Sequence, residues 1–362
     1  MSFDLQRAQE YGVHPIFITG RFCSGTTFLW NFFNWSKHYC AYYEALHEGL
    51  LESIQYINPK KQHNGVSNYW EEYHSLTDLT RFYSSTFAFE RLTLQESDSY
   101  EPLKNYLHYL TQKKDDRQIA IKLNRIDFRL PWIAKNFPDA KIINIKRNTR
   151  DSWKSSRTHL PKEYERDMFQ FNAYGLVQLV ISLDEHFPFI IDASTSSYHL
   201  HYFVSKLSEL FARHHADTII EFEKDIVENF DNFIEKIAST TCLNKSEISG
   251  YEKIKITPEA KKYSIEEVAW LENVEKECDS VLDHLGINNM SPQQILNAKF
   301  HTLYPEKRKI FSNELLASHY QLEKIRISLQ GQLDIERETP LLKRIRLSLK
   351  RKLHKFRFSR QA

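Results

Sequence analysis

Glycine is scarce in this chain, with nine in 362 residues, where average usage of about 7% would give roughly 25. Any short segment that holds two of them therefore stands out. Cysteine is sparse too: Cys23, Cys40, Cys242 and Cys278 form no CxxC pair and have no metal-ligand spacing to histidine. That argues against a disulfide framework and a zinc module. The 16 histidines are scattered, with only His214 and His215 adjacent, and no metal is expected. No apolar run reaches the roughly 18–20 residues of a membrane span. The first residues lack the charged and apolar regions of a secretory signal, so the expectation is a cytoplasmic protein. Acidic residues are missing from 341–362, which carry nine Lys and Arg. Of 49 basic groups in the chain, 40 then remain in the first 340 residues against 47 acidic ones. The main body is mildly acidic, which excludes general nucleic-acid binding by charge. With 41% apolar and 27% charged residues, the chain can build a packed core, and wholesale disorder is excluded.

Short β-rich runs occur at Ile16–Thr19, His38–Tyr43, Gln118–Lys122, Lys141–Lys146 and Thr218–Phe222. Helical patterns separate them, notably Ile126–Phe137, Glu165–Glu185 and Thr195–His215, with another at Ser264–Leu285. Strands alternating with helices predict an α/β fold: a mainly parallel sheet of about five strands, helices on both faces and right-handed crossovers. Residues 51–116 read as an aromatic-rich insertion between the second and third strands, with a helix around Tyr100–Gln112. The expected division is an α/β domain over 1–290, followed over 291–362 by a linker and a helical, basic C-terminal extension.

Two of the nine glycines lie in Gly20-Arg21-Phe22-Cys23-Ser24-Gly25-Thr26-Thr27. A glycine turn between a strand and a helix N-terminus presents unpaired N–H groups and a partial positive charge, a ready anion site. The GxxxxG spacing is that of a P-loop, yet Thr26 stands where the lysine of ATP and GTP enzymes reaches the outer phosphates. The fourth strand runs into Arg147-Asn148-Thr149-Arg150-Asp151-Ser152-Trp153-Lys154-Ser155. A nucleotide-hydrolysing enzyme would place an acidic magnesium ligand there; arginine instead recognises phosphate bidentately. Ser155, two helical turns on, can meet the same anion. Both motifs fall at the carboxyl ends of strands, where open parallel sheets bind ligands. Two anion sites without a metal site point to a ligand with two separated phosphates.

The ordered pair, SGTT after one strand and RNxRDxxxSS after a later one, resembles the phosphate-binding motifs of sulfotransferases that use 3′-phosphoadenosine 5′-phosphosulfate (PAPS). Lys122-Leu123-Asn124-Arg125-Ile126-Asp127, Phe137-Pro138-Asp139-Ala140-Lys141 and Ile220-Glu221-Phe222-Glu223-Lys224-Asp225 are similar to further segments of that superfamily, especially its bacterial members. The likeness spans roughly 14–240 and implies a P-loop-like fold with PAPS as co-substrate. It implies that Ser24, Gly25, Thr26 and Thr27 cradle the 5′-phosphosulfate, and that Arg147 and Ser155 hold the 3′-phosphate. Phe28 stands where cytosolic members often stack adenine on a Trp. Cys23 occupies the position of the usual cation before SGTT; Arg21 is the candidate replacement. The C-terminal RKG motif of the cytosolic branch is absent.

Transfer of a sulfuryl group needs a base for the acceptor hydroxyl and cations for the leaving phosphate. The position of the cytosolic family's histidine base holds Asn124, which cannot accept a proton. Other branches use a Glu shortly after the second strand, which makes Glu44 the candidate base, with His47 or Glu48 next and Lys122 a candidate contact to the transferring group. The expected acceptor is a hydroxyl of a carbohydrate, a lipid-linked molecule or another metabolite, with the 51–116 insertion shaping its pocket. Two other classes stand as alternatives: a P-loop kinase or NTPase, disfavoured by Thr26, and a non-catalytic membrane-associated adaptor that keeps the fold, compatible with Cys23.

In the tail, Leu342, Ile345, Leu349, Leu353 and Phe356 recur at helical spacing among basic residues. Such a cationic amphipathic helix suits peripheral binding to the anionic inner membrane face, each Lys or Arg adding about 1 kcal/mol. The alternative is a helix packed on the acidic body or another subunit. Full-length protein should co-sediment with anionic vesicles at low salt, while a chain ending at Pro340 should not. Equal binding by both would make the tail a packing element.

Overall fold

A computed structural model of the chain describes residues 14–59, 63, 65–112, 116–157, 165–168, 173–241, 243 and 262–301. Five strands, β1 Ile16–Thr19, β2 Tyr39–Tyr42, β3 Gln118–Lys122, β4 Lys141–Lys146 and β5 Thr218–Glu221, form one sheet in the order β2-β3-β1-β4-β5. Every pairing is parallel. Near-continuous Ile, Phe, Ala and Tyr runs in β1 to β4 are buried almost throughout, as a sheet covered on both faces requires.

The α-helices of seven residues or more among the described residues are α1 Thr26–Trp35, α2 Glu101–Thr111, α3 Leu130–Asn136, α4 Thr149–Ser156, α5 Leu176–Leu183, α6 Ser197–His215, α7 Phe230–Thr240 and α8 Ile265–His284. The five strands and most helices fall within a residue or two of the pattern-based expectation. Ile126–Phe137 is α-helical only from Leu130, after a tighter turn at Asp127–Arg129, and Glu165–Glu185 departs further. Its described part is helical only in α5, because Tyr174 at φ 53° and Gly175 at φ 72° take the left-handed conformation and break the helix. The run shares one apolar pattern, but backbone conformation at those two residues decides where the helix begins. Within the extension, Pro292–Asn297 is a short helix whose Ile295 and Leu296 join the core. Residues 302–362, with the amphipathic run, lie outside the described residues.

Strand order places β1 between β3 and β4, with Ile18 level with both Lys122 and Ile143. The segments that leave β1, β3 and β4 therefore converge on one edge. The insertion between β2 and β3 closes beside them through four helical turns and α2. Its Tyr69, Trp70, Tyr73, Tyr83 and Phe87 are core residues, whereas Tyr56 is 64% exposed. The fully buried Arg129 ties this insertion down, donating to the carbonyls of Arg91 and Phe87 at 2.9 Å each and to that of Glu90. Burial pushes its guanidinium down to about 10, and carbonyl oxygens replace the missing water.

Gly20, at φ 155°, leaves β1 so close to β4 that a Cβ there would lie 2.4 Å from the Ile145 carbonyl oxygen. Gly20→Ala should destabilise the protein by roughly 2–4 kcal/mol, combining backbone strain with overpacking. Denaturant unfolding checks this; an unchanged midpoint would contradict the close approach.

Candidate active site

The turn after β1 is held open at both ends by glycine. Gly25, at φ 104°, sits against Phe222, whose ring atoms would lie 2.6 Å from an added Cβ. Between the glycines, Cys23 takes φ 64° and the Ser24 amide donates to the Arg21 carbonyl at 3.2 Å. α1 then starts at Thr26 without a side-chain cap. Its first-turn amides and the positive end of its dipole face the turn. Ser24 and Thr26 are buried, and Ser24 Oγ has no hydrogen-bond partner.

Arg147 leaves β4 directly toward this turn. Its Nη1 donates to the Cys23 carbonyl at 3.2 Å and to Ser155 Oγ at 3.4 Å. Its guanidinium lies 5.0 Å over the Phe222 ring, and its Nε is 3.6 Å from a Glu223 carboxylate oxygen, with no hydrogen bond. α4 begins slightly earlier than Asp151, because the Asn148 side chain caps it at the Arg150 and Asp151 amides. The structure thus brings together Arg147 and Ser155, and both with the β1 turn. Thr19 Oγ1 and Asn124 Oδ1, at the ends of β1 and β3, are also buried without a hydrogen-bond partner. Three of these groups without hydrogen-bond partners, the Ser24 and Thr19 hydroxyls and Arg147 Nε, can donate, which suits an anionic ligand rich in oxygen, whereas Asn124 Oδ1 only accepts.

Arg21 is held elsewhere: its Nη1 lies 3.2 Å from Asp127, whose second oxygen accepts from Ser208 at 2.5 Å. The cation brought to the start of α1 is Lys122, which donates to Thr27 Oγ1 at 2.9 Å. Phe28 is buried against Phe233, 5.6 Å between ring centroids, so adenine stacking there would require the ring to leave its packing.

Glu44 follows β2 at φ 41°, a conformation that costs a non-glycine residue about 1–3 kcal/mol. The Ala45 amide donates to the Lys122 carbonyl at 3.1 Å, and the His47 amide to the Glu44 carbonyl at 2.9 Å. This backbone frame sets the Glu44 carboxylate 3.0 Å from Lys122 Nζ and 3.5 Å from the Asn124 amide nitrogen. Burial raises the Glu44 carboxyl, but Lys122, His47 and Arg125 outweigh it and hold the group below the usual carboxylate range. Lys122 is 1% exposed, and burial drags its ammonium down against the pull of Glu44. Lys122 Nζ also lies 4.1 Å over the Tyr43 ring.

The other two candidate bases are differently placed. His47 Nδ1 accepts from the Gly49 amide at 3.0 Å, so the neutral ring keeps its proton on Nε2 and offers a donor, not a base. Glu48 pairs with Arg125 at 2.6 Å; burial raises its carboxyl, and Arg125 more than reverses this. A cavity of about 440 Å³ opens on Glu44, lined by Tyr43, His47, Tyr56, Tyr69 and Trp70 among others.

Sequence reasoning passed over Tyr43, Asp127 and Glu223 as site residues, although all three lie in segments it singled out. Glu223 accepts from the Asn148 amide at 3.1 and 3.2 Å and so fixes the turn that carries Arg147. No spacing rule links residues 75 positions apart. No group of three or more His, Cys, Asp or Glu side chains able to hold a metal ion occurs among the described residues, and none of their helices is long and apolar enough to cross a membrane.

Comparison with known proteins agrees with this geometry. Neither the search of curated proteins nor that of solved structures returns a match. A sequence model described as the sulfotransferase family matches residues 15–184, which include both candidate anion-binding turns, Glu44 and Lys122. The matched segment, just under half of the chain, is accordingly similar to the sulfotransferase family.

Proposed function

We propose that the protein transfers a sulfuryl group from PAPS to a hydroxyl of a carbohydrate, lipid-linked or other metabolite acceptor. The observation that carries this reading is the set of unpartnered polar groups around the start of α1, placed beside a carboxylate that opens on a pocket. Ser24, Gly25, Thr26 and Thr27 would take the 5′-phosphosulfate on main-chain N–H groups and hydroxyls. Arg147 and Ser155 would take the 3′-phosphate.

Glu44, which lines the pocket, is the base. It takes the acceptor hydroxyl proton as the acceptor oxygen bonds to sulfur. The bond between sulfur and the bridging oxygen breaks, and its electron pair stays on the departing phosphate. Lys122 and the first amides of α1 face the charge that develops there. A pocket of about 440 Å³ is in the range that holds small ligands. Tyr43, Tyr56, Tyr69 and Trp70 supply aromatic surface for a sugar or another ring.

Labelled sulfate should pass from PAPS into an acceptor in a metabolite or glycan extract. Absence of saturable PAPS binding at every concentration would overturn the reading. Arg147→Ala should weaken nucleotide binding by roughly 1.5–3 kcal/mol, the worth of a charged hydrogen-bonding partner. Calorimetry should also show reduced preference for 3′-phosphorylated over non-phosphorylated adenosine nucleotides. In the unmodified protein, equal affinity for the two would contradict the assignment. Glu44→Gln should lower kcat by roughly 10²–10⁴, the range for a general base, with PAPS still bound. An undiminished rate would remove Glu44 from that role.

A further inference from the structure

Lys122 Nζ is a single buried cation with two claimants, Glu44 at 3.0 Å and Thr27 at 2.9 Å. Thr27 is the second residue of α1, so its hydroxyl marks the place where the anion would rest. Glu44 lines the pocket. The lysine therefore bridges the two halves of the site. The bridge is built into the backbone: the Ala45 amide bonds the Lys122 carbonyl at 3.1 Å, and Glu44 is held at φ 41°. The third N–H of the ammonium faces the Tyr43 ring, 4.1 Å to its centroid, so the lysine can pivot between the two oxygens without losing that contact.

We propose that Lys122 couples donor occupancy to the strength of the base, pairing with Glu44 in the free enzyme and shifting to the donor's phosphosulfate beside Thr27 once the donor is bound. This inference rests on the reading of the site as a PAPS site. Without the donor, the lysine holds the Glu44 carboxylate as a weak base. With the donor in place, Glu44 retains the Asn124 amide, and the proton of an acceptor hydroxyl can be drawn off only when a sulfuryl group is ready to receive the oxygen.

The charged and titratable groups around Glu44 are Lys122 and Arg125 from the β3 side and His47 from its own loop. Tyr43 lies beside it, and His63, Tyr69 and Tyr174 are farther out. In the free enzyme the carboxyl lies below its ordinary value, with Lys122 the largest influence in that direction. Withdrawal of Lys122 removes that influence, so that burial, which acts upward, is opposed only by His47 and Arg125. Donor binding in mildly acidic buffer should therefore draw a proton onto Glu44, and the uptake should fade toward neutral pH.

Titration calorimetry with PAPS alone, in buffers of different ionisation enthalpy, measures this uptake. The unmodified enzyme should take up more protons than Glu44→Gln, which assigns the proton. Lys122→Met should lose most of that excess, because the largest influence that depresses the carboxyl before binding is gone. Equal uptake by the unmodified enzyme and Glu44→Gln would overturn the coupling, as would undiminished uptake by Lys122→Met. Should Lys122→Met fail to fold or to bind, the unmodified enzyme still decides: the acid limb of kcat should lie at higher pH than that of kcat/KM for the donor. Coincident limbs would overturn the proposal. Binding without coupled protonation removes this inference alone, whereas absence of PAPS binding removes the donor reading and the coupling with it.

Discussion

A buried ammonium costs several kcal/mol unless its three N–H groups find partners. Lys122, 1% exposed, finds them in the Glu44 carboxylate, the Thr27 hydroxyl and the Tyr43 ring. The partners come from two segments: the β1 turn and α1 supply Thr27, and the exit of β2 supplies Tyr43 and Glu44. Satisfying this one cation therefore fixes the relative placement of the candidate anion-binding turn and the candidate base. Glu44 accepts a left-handed backbone to remain in that arrangement.

The long helix α6 braces the same edge from behind. Ser208 donates to Asp127, which holds Arg21, and His201 Nε2 meets Ser152 Oγ of α4 at 3.0 Å. Burial first, and then Arg21, push His201 down to about 3, so it acts as a neutral hydrogen-bonding strut. One helix thus contacts the supports of both candidate anion-binding turns. Positioning of this kind matters for a reaction in which the protein contributes mainly orientation and charge.

Charge on α4 is allocated in a similar way. Arg150 forms two hydrogen bonds to Glu275, at 2.8 and 2.7 Å, and Lys154 and Arg157 meet Glu267 at 3.2 and 3.1 Å. These pairs join α4 to α8, beyond the segment matched by the family. Arg147 differs, since its polar partners are a carbonyl, a hydroxyl and a carboxylate oxygen 3.6 Å away. It is the arginine of this segment best placed to meet an anion.

By itself the sequence determined the alternation of strands and helices, and so the parallel sheet. A buried strand needs an unbroken apolar run, and a covering helix needs its own periodicity. Gly20 and Gly25, conspicuous in a chain poor in glycine, marked the first candidate anion-binding turn, and Arg147 with Ser155 marked the second, because local spacing along a strand end and a helix carries that information. Other features depended on which strands neighbour one another. With β1 set between β3 and β4, Lys122 reaches Thr27 across 95 positions and Glu44 across 78. The same packing sends Arg21 to Asp127 and buries Phe28 against Phe233. Only the tertiary structure decided these partners, because charge pairing and burial act through space and leave no period in the sequence.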